Sequence, residues 1–109
     1  MLASAFRLNK QNIERVYKKG RTFRENFFQV RFLRNNIEHG RFAVVIPKKI
    51  AAKATKRSRL KSKTFVLLEE ILKEHKIASF DIILSFKQMP DEQSIKPVLS
   101  KVFHEIGVR

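Results

Sequence analysis

The sequence predicts a single α+β domain over residues 1–109, a two-layer sandwich of one small mixed sheet and three helices. Three observations support this prediction. Some segments alternate apolar and polar residues with the period of a strand, and others repeat apolar residues with the period of a helix. These segments follow in the order helix, strand, strand, helix, strand, helix, with no repeat or low-complexity linker between them. A short additional strand near Phe23 is left open.

The first helix is predicted over Asn9–Lys19. Asn9 is a favourable N-cap, and Leu8 and Ile13 have the spacing of a hydrophobic staple around it. Two lysines occupy the last turn, where cations suit the helix dipole. Gly20 follows, and we expect it to end the helix in the left-handed conformation that glycine adopts at low cost.

Extended structure is predicted from Thr22 to Arg34 and again from Phe42 to Ile46. The first stretch alternates, so that one face is apolar and the opposite face includes Gln29 and Arg31. The apolar face comprises Phe28, Val30 and Phe32. Asparagines and His39-Gly40 mark a turn between the two stretches. Pro47 ends the second strand because it has no N–H to donate to a ladder.

The second helix is predicted to begin between Ala51 and Thr55 and to run to about His75. Its apolar stripe is predicted to comprise Leu60, Leu67, Leu68 and Ile71, with Phe65 and Leu72 on its flanks. A separate face carries Lys56, Arg59 and Lys63. The helix is therefore expected to bury one face and to expose a basic one.

The carboxyl-terminal part predicts a strand followed by a helix. Alternation at Phe80, Ile82, Leu84 and Phe86 indicates the strand. Ser94 is a candidate cap for the last helix, whose apolar face is formed by Ile95, Val98, Leu99, Val102, Phe103 and Ile106. Pro97 then lies in the first turn, where a missing N–H costs little.

The positive charge of the chain is concentrated in one segment. The formal net charge is +14, from 24 Lys and Arg against 10 Asp and Glu. Residues 41–63 contain nine basic residues and no acidic one, whereas residues 64–109 contain six basic and seven acidic residues. A solvated helix face is the simpler explanation, but charge added for solubility would be spread more evenly. The block favours a polyanion partner, and nucleic acid in particular.

Residues typical of catalytic sites show no recognisable arrangement. The sequence has no cysteine, and His39, His75 and His104 lack the spacing of metal ligands. Glu69, Glu70 and the nearby Glu74 are explained by a solvated helix face. No phosphate-binding glycine loop, membrane span or signal peptide is evident, so the cytoplasm is the expected compartment.

The segment Phe42–Leu68 resembles the protein subunit of bacterial ribonuclease P. That family has a strand ending in Lys-Lys, here Lys48-Lys49, and a helix that opens on Arg-Asn-Arg, here Arg57-Ser58-Arg59. Further basic residues continue the family's helix, where this chain has Leu60-Lys61-Ser62-Lys63. The segment from Arg15 to Gly20, the late strand and the closing helix also match, so the resemblance covers nearly the whole chain.

The resemblance implies a ribonucleoprotein that removes the 5′ leader of precursor tRNA. The catalytic RNA subunit would hold Mg²⁺, and the protein would bind no cofactor or metal and need no obligate protein partner. RNA-binding residues would be Lys48, Lys49, Lys53, Lys56, Arg57, Arg59, Lys61 and Lys63. A cleft for the leader would comprise Ile13, Tyr17, Gln29 and Arg31, although Tyr17 could equally pack in the core.

Two other functions stay open on the sequence alone. A general or ribosome-associated RNA-binding protein would show the same charge without a leader cleft. A DNA-binding module would insert the basic helix into a major groove, although the element order lacks a helix-turn-helix.

Overall fold

The computed structural model describes residues 6–74 and 79–108, and over these residues it confirms the α+β architecture with a mixed sheet and three helices. The elements in chain order are α1 (Lys10–Lys19), β1 (Arg21–Glu25), β2 (Phe28–Arg34), β3 (Arg41–Val45), α2 (Ala54–Glu74), β4 (Phe80–Phe86) and α3 (Ile95–Val108). The predicted end of α2 near His75 lies outside the described residues.

The sheet has the strand order β1-β2-β4-β3. β2 pairs antiparallel with both β1 and β4, whereas β3 and β4 are parallel and are connected through α2. The single strand predicted over Thr22 to Arg34 is wrong, because the chain folds back at Asn26 and forms a hairpin. Asn26 has a φ of 54°, a left-handed conformation that asparagine tolerates better than most residues. The additional strand near Phe23 is therefore β1.

The capping of α1 agrees with the sequence at its start and differs at its end. The Asn9 side chain accepts a hydrogen bond from the Asn12 N–H at 2.9 Å, as an N-cap does. Gly20, however, has φ −75° and ψ 162°, so the left-handed stop predicted there is wrong. The reason for glycine is steric, because a Cβ at this position would lie 2.4 Å from the carbonyl oxygen of Val16.

Both faces of the sheet are covered, each by different helices. The larger apolar cluster joins one face of the strands to α2 and α3, and includes Phe28, Phe42 and Leu68. The smaller cluster lies on the opposite face, where Val16 of α1 packs with Leu8 and Ile83. Side chains alternate along a strand, so α1 lies across the sheet from α2 and α3.

The buried face of α2 differs from the predicted stripe at three positions, since Phe65, predicted on the flank, is also buried at 4% exposure. Leu60, Leu68 and Ile71 are buried as expected, but Leu67 is only half-buried and Thr64 is fully buried in its place. The Thr64 hydroxyl donates to the carbonyl oxygen of Leu60 at 2.8 Å, which satisfies a polar group in the core.

The start of α3 also differs from the prediction. Ser94 does not cap the helix, because it belongs to a short 3-10 turn over Glu92–Ser94 that runs into α3. Asp91 caps this turn, and its side chain accepts a hydrogen bond from the Gln93 N–H at 3.3 Å.

A buried carboxylate ties the edge strand β3 to the sheet. Arg41 donates two hydrogen bonds of 2.8 Å to Asp81, and the Asp81 side chain is only 1% exposed. Asn35 donates a further bond to Asp81 at 2.9 Å and one to the carbonyl oxygen of His39 at 3.1 Å. The network fixes the turn that leads into β3, and so fixes where the basic segment begins.

Candidate nucleic-acid interface

The basic segment forms a continuous exposed surface on α2 and on the loop before it. Among the residues that the structure describes, no carboxylate forms an ion pair with any cation of this surface. We call it the α2 basic surface. Its exposed members are Lys48, Lys49, Lys53, Lys56, Arg59, Lys61 and Lys63, and Arg57 is its half-buried member. Cations without a carboxylate partner raise the local potential and attract phosphates.

Arg57 differs from the other members of this surface because it is bonded to the chain itself. Its guanidinium donates from one nitrogen to the carbonyl oxygens of Ala51 and Ala52, at 3.0 and 2.9 Å. These bonds hold the loop that displays Lys48 and Lys49 against the start of α2. Arg57 thus positions two other predicted RNA-binding residues, besides contributing its own charge.

The predicted leader-cleft residues lie together on the sheet face that α1 covers. Gln29 and Arg31 point to this face from β2, and the Arg31 guanidinium carbon lies 4.9 Å from the centroid of the Tyr17 ring. Tyr17 is 45% exposed, so the alternative that it packs in the core is wrong. Ile13 is half-buried and packs against the smaller apolar cluster on the same face of the sheet.

A stacked arginine and tyrosine provide two ways of holding a single strand of RNA. The ring offers a face on which a base stacks, and the guanidinium offers donors to a phosphate. The Arg31 side chain also lies 3.4 Å from the hydroxyl of Thr22 on β1, which limits its movement. The apolar sides of α1 and α2 pack on opposite faces of the sheet, but at the β3 edge Ile13 of α1 and Lys61 of α2 line the same groove.

Sequence reasoning missed one cation, Arg7. It precedes α1, where it forms an isolated parallel bridge with Phe42 at the edge of the sheet. The Leu8 N–H donates to the Phe42 carbonyl oxygen at 2.9 Å, which fixes this segment beside β3. A lone arginine before a helix has no pattern that reveals it, because its position depends on a contact with a distant strand.

Outside these surfaces, the histidines and carboxylates of the described chain pack against rings, face solvent or form ion pairs. No three side chains of His, Cys, Asp or Glu within residues 6–74 and 79–108 are placed to hold a metal ion. His39 packs its ring against Phe6 with centroids 4.5 Å apart, His104 is exposed, and His75 lies outside the described residues. On α3, hydrogen bonds to Glu74 and then Glu70 raise the pKa of Lys96. None of the described helices could cross a membrane.

Comparison with known proteins agrees with this geometry. The ribonuclease P family model matches residues 2–106. The ribonuclease P protein of Staphylococcus aureus is 24% identical with a TM-score of 0.74, over 94% of this chain and 96% of that one. The Thermotoga maritima protein is 20% identical with a TM-score of 0.79, over 91% and 96%. At these identities the two structures establish the fold alone.

A further solved structure is somewhat more similar in sequence. It is a mutant of the Staphylococcus aureus protein described as defective in mRNA degradation activity, and it is 28% identical with a TM-score of 0.75. The alignment covers 94% of this chain and 89% of that one. A search of curated protein sequences gives no match.

Proposed function

Because this chain belongs to the ribonuclease P protein family, we propose that it binds the 5′ leader of precursor tRNA while it is held on a catalytic RNA. Membership makes it a subunit of an endoribonuclease that associates with an RNA subunit and takes part in tRNA maturation. The residues that contact each RNA, and the location of the chemistry, are the parts that we propose.

The observation that supports the proposal is the presence of two different surfaces, a segment dense in cations at α2 and a stacked Tyr17–Arg31 pair on the sheet face that α1 covers. The α2 basic surface has eight cations on one short segment, which suits the dense phosphates of a folded RNA. We assign this surface to the RNA subunit. Contacts to phosphate fix position without reading sequence, and this is what a structural subunit requires.

The cleft on the sheet face that α1 covers suits a different ligand. Tyr17 and Arg31 form one stacked pair rather than a broad charged surface, and Gln29 adds an amide beside them. One aromatic ring and one guanidinium match a single extended strand, in which bases are free to stack. We assign this cleft to the 5′ leader.

We place catalysis in the RNA subunit, with Mg²⁺ bound there. Magnesium prefers oxygen ligands, and phosphate oxygens of RNA supply them. The α2 basic surface would repel a divalent cation, because lysine and arginine dominate it. The protein's contribution is then binding and orientation, which bring the leader to the reacting phosphodiester. In keeping with such a substrate, we expect the complex to act in the cytoplasm and to need no other protein.

Reconstitution tests this proposal. RNase-free protein is combined with the ribonuclease P RNA of the same organism, Mg²⁺ and precursor tRNA, and cleavage at the 5′ end is followed with each component omitted in turn. We expect no cleavage by the protein alone, and a lower KM for precursor tRNA when the protein joins the RNA. Cleavage by purified protein alone would contradict the assignment of catalysis to the RNA.

A general RNA-binding role is the second candidate, because the α2 basic surface would support it without a leader cleft. Competition binding at fixed salt separates the two. A leader-binding subunit prefers precursor tRNA over mature tRNA and duplex DNA, whereas a general binder treats the two tRNAs alike.

A further inference from the structure

A groove lies at the end of the sheet where β2 ends and where β1 and β4 begin. We call it the sheet-end groove, and its volume is about 410 Å³. It contains no residue of the α2 basic surface and none of the predicted leader cleft. Its lining residues are Lys19, Arg21, Phe32, Leu33, Arg34, Phe80, Ile106 and Gly107.

Three exposed cations line this groove, and each comes from a different element. Lys19 is the last residue of α1, Arg21 is the first of β1 and Arg34 is the last of β2. Among residues 6–74 and 79–108, no carboxylate forms an ion pair with any of the three, and none lines the groove. Cations held this close repel one another, so an anion between them would be attracted.

Two phenylalanine rings hold Arg34 in place. Its guanidinium carbon lies 5.5 Å from the centroid of the Phe80 ring, and Phe80 meets the buried Phe32 edge to face at 5.8 Å. A guanidinium stacked on a ring uses its face for that contact and keeps its N–H groups free to donate at the edge. Arg34 is therefore positioned by the core of the protein before any ligand arrives.

The chemistry of the lining favours phosphate as the anion. Guanidinium groups match the oxygens of a phosphate with two parallel hydrogen bonds, and a lysine adds a compact charge. Phe80 is already covered by Arg34 and Phe32 is buried, so neither ring is well placed for a base to stack. This arrangement suits a ligand that is recognised through its backbone phosphates rather than through its bases.

The sheet-end groove lies far from the start of the α2 basic surface. β3 and β4 are parallel, with Val45 opposite Ser85, so the basic segment leaves the sheet at the end where β4 finishes. The groove lies at the other end, where β4 begins at Phe80. The seven residues of β4 span about 20 Å between these ends. A phosphate in the groove would therefore be an additional contact and not a continuation of the α2 basic surface.

We propose that the sheet-end groove binds the phosphodiester backbone of RNA, with Lys19, Arg21 and Arg34 on phosphate oxygens. The RNA is either the part of the 5′ leader furthest from the cleavage site or a segment of the RNA subunit, since both offer the same phosphates. The inference adds a third contact to the proposed function, and it rests on that function only for the identity of the RNA.

Titration of the isolated protein tests the site itself. Amide resonances are followed by NMR at low salt while a uridine pentanucleotide is added, with uridine nucleoside as the ligand that lacks phosphate. We expect the pentanucleotide to shift the resonances of residues 19–21, 33–34 and 106–107, and the nucleoside to leave them unchanged. Shifts confined to the α2 basic surface and the leader cleft would overturn the proposal.

A matched pair of variants separates a built site from general attraction to a positive protein. Arg34→Gln removes a charge from the groove, whereas Lys101→Gln removes an exposed charge from α3 that does not line it. We expect Arg34→Gln to weaken the pentanucleotide at residues 19–21 by about threefold or more, and Lys101→Gln to have little effect. Equal losses in the two variants would sink the proposal.

Gly107 allows the groove to be changed from its other side. A Cβ at this exposed position would meet no atom within 4 Å, so a larger side chain fits there. Gly107→Glu brings a carboxylate to the rim of the groove, and Gly107→Gln brings the same bulk without charge. We expect the glutamate variant to bind the pentanucleotide more weakly than the glutamine variant, because the carboxylate competes with phosphate for the cations. Equal affinities would count against a phosphate in the groove.

A purely structural role for these cations makes a different prediction. Arg21 and Arg34 lie beside the last turn of α3, where positive charge also favours the helix dipole. If that were their only role, Arg34→Gln would lower the urea midpoint of the free protein and leave the resonance shifts caused by the pentanucleotide unchanged. That result would replace the RNA site with a structural explanation.

Reconstitution identifies the RNA and keeps the site distinct from the proposed function. A loss of affinity in Arg34→Gln for precursor tRNA with a long leader, but not with a short one, assigns the groove to the leader. Weaker binding to the RNA subunit assigns it to that subunit. If the protein assists cleavage and Arg34→Gln changes neither affinity, the site is wrong and the function stands. If the protein does not assist cleavage but the pentanucleotide still occupies the groove, the function is wrong and the site stands.

Discussion

At the scale of single residues, two residues of the same type can have different roles, because their contacts differ. Arg57 and Arg59 share a basic segment, but only Arg57 donates hydrogen bonds to the backbone of the preceding loop. Gly20 was expected to supply a left-handed turn and instead makes room for a carbonyl oxygen of α1. In both cases the role of the residue depends on neighbouring atoms that the sequence does not identify.

The two arginines should therefore respond differently to replacement by alanine. Arg59→Ala removes an exposed cation, so we expect weaker binding to the RNA subunit, a salt dependence shallower by about one in log–log slope, and unchanged stability. Arg57→Ala also releases the loop, so we expect it to lose about 1–2 kcal/mol of stability in addition. Binding titrations over a range of salt and urea unfolding measure the two effects.

The control for this comparison is Lys101→Ala, an exposed position on α3 away from the α2 basic surface. It should leave both RNA affinity and stability nearly unchanged. Identical unfolding curves for Arg57→Ala and Arg59→Ala would show that the loop does not depend on Arg57.

At the scale of elements, α2 shows how a helix meets two requirements at once. Its buried side packs against the sheet and α3 through Leu60, Phe65, Leu68 and Ile71, while its opposite side carries cations. Burial of the apolar side stabilises the fold enough to tolerate the repulsion among like charges on the other. The sequence predicted this division, but it placed the boundary wrongly at Leu67, Thr64 and Phe65.

This boundary predicts unequal effects of truncating two adjacent leucines. Leu68 is fully buried, so Leu68→Ala should lower the free energy of unfolding by about 2–5 kcal/mol. Leu67 is half-buried, so Leu67→Ala should cost about 1 kcal/mol. Urea unfolding of the free protein measures both, and neither change should alter the salt dependence of RNA binding. A larger loss for Leu67→Ala would mean that the helix is rotated from the described orientation.

At the scale of the whole molecule, the Tyr17–Arg31 pair and the apolar side of α2 lie on opposite faces of the sheet. α1 and the leader cleft lie on one face, and the α2 basic surface belongs to a helix on the other. The buried pair of Arg41 and Asp81 fixes the edge strand from which the basic segment departs. Tyr17 contacts Arg31 and Arg59 is exposed on α2, so we expect these two residues to contribute to binding independently.

Independence has a measurable consequence. Tyr17→Ala should weaken the binding of precursor tRNA with a 5′ leader and leave the binding of mature tRNA nearly unaffected, because only the leader reaches the cleft. A single stacking contact contributes about 1–3 kcal/mol. Arg59→Ala should weaken binding to the RNA subunit instead. In the reconstituted complex, the Tyr17→Ala/Arg59→Ala double variant should lose as much free energy of precursor-tRNA binding as the two single variants together, within about 0.5 kcal/mol. A loss of binding free energy in the double variant that is clearly larger or smaller than this sum would mean that the two surfaces are coupled.

The sequence by itself determined the α+β class, the order of helices and strands, the basic segment and its eight cations, because periodicity, capping residues and charge are local properties of a chain. Only the tertiary structure decided that residues 21–34 fold into a hairpin, that Thr64 rather than Leu67 is buried, and that Tyr17 meets Arg31 on an exposed face. It also placed Arg7 over the Phe65 ring and Asp81 beside Arg41. Each of these depends on which distant segments meet, and strand order and helix rotation are settled by packing across the sheet, which no local pattern records.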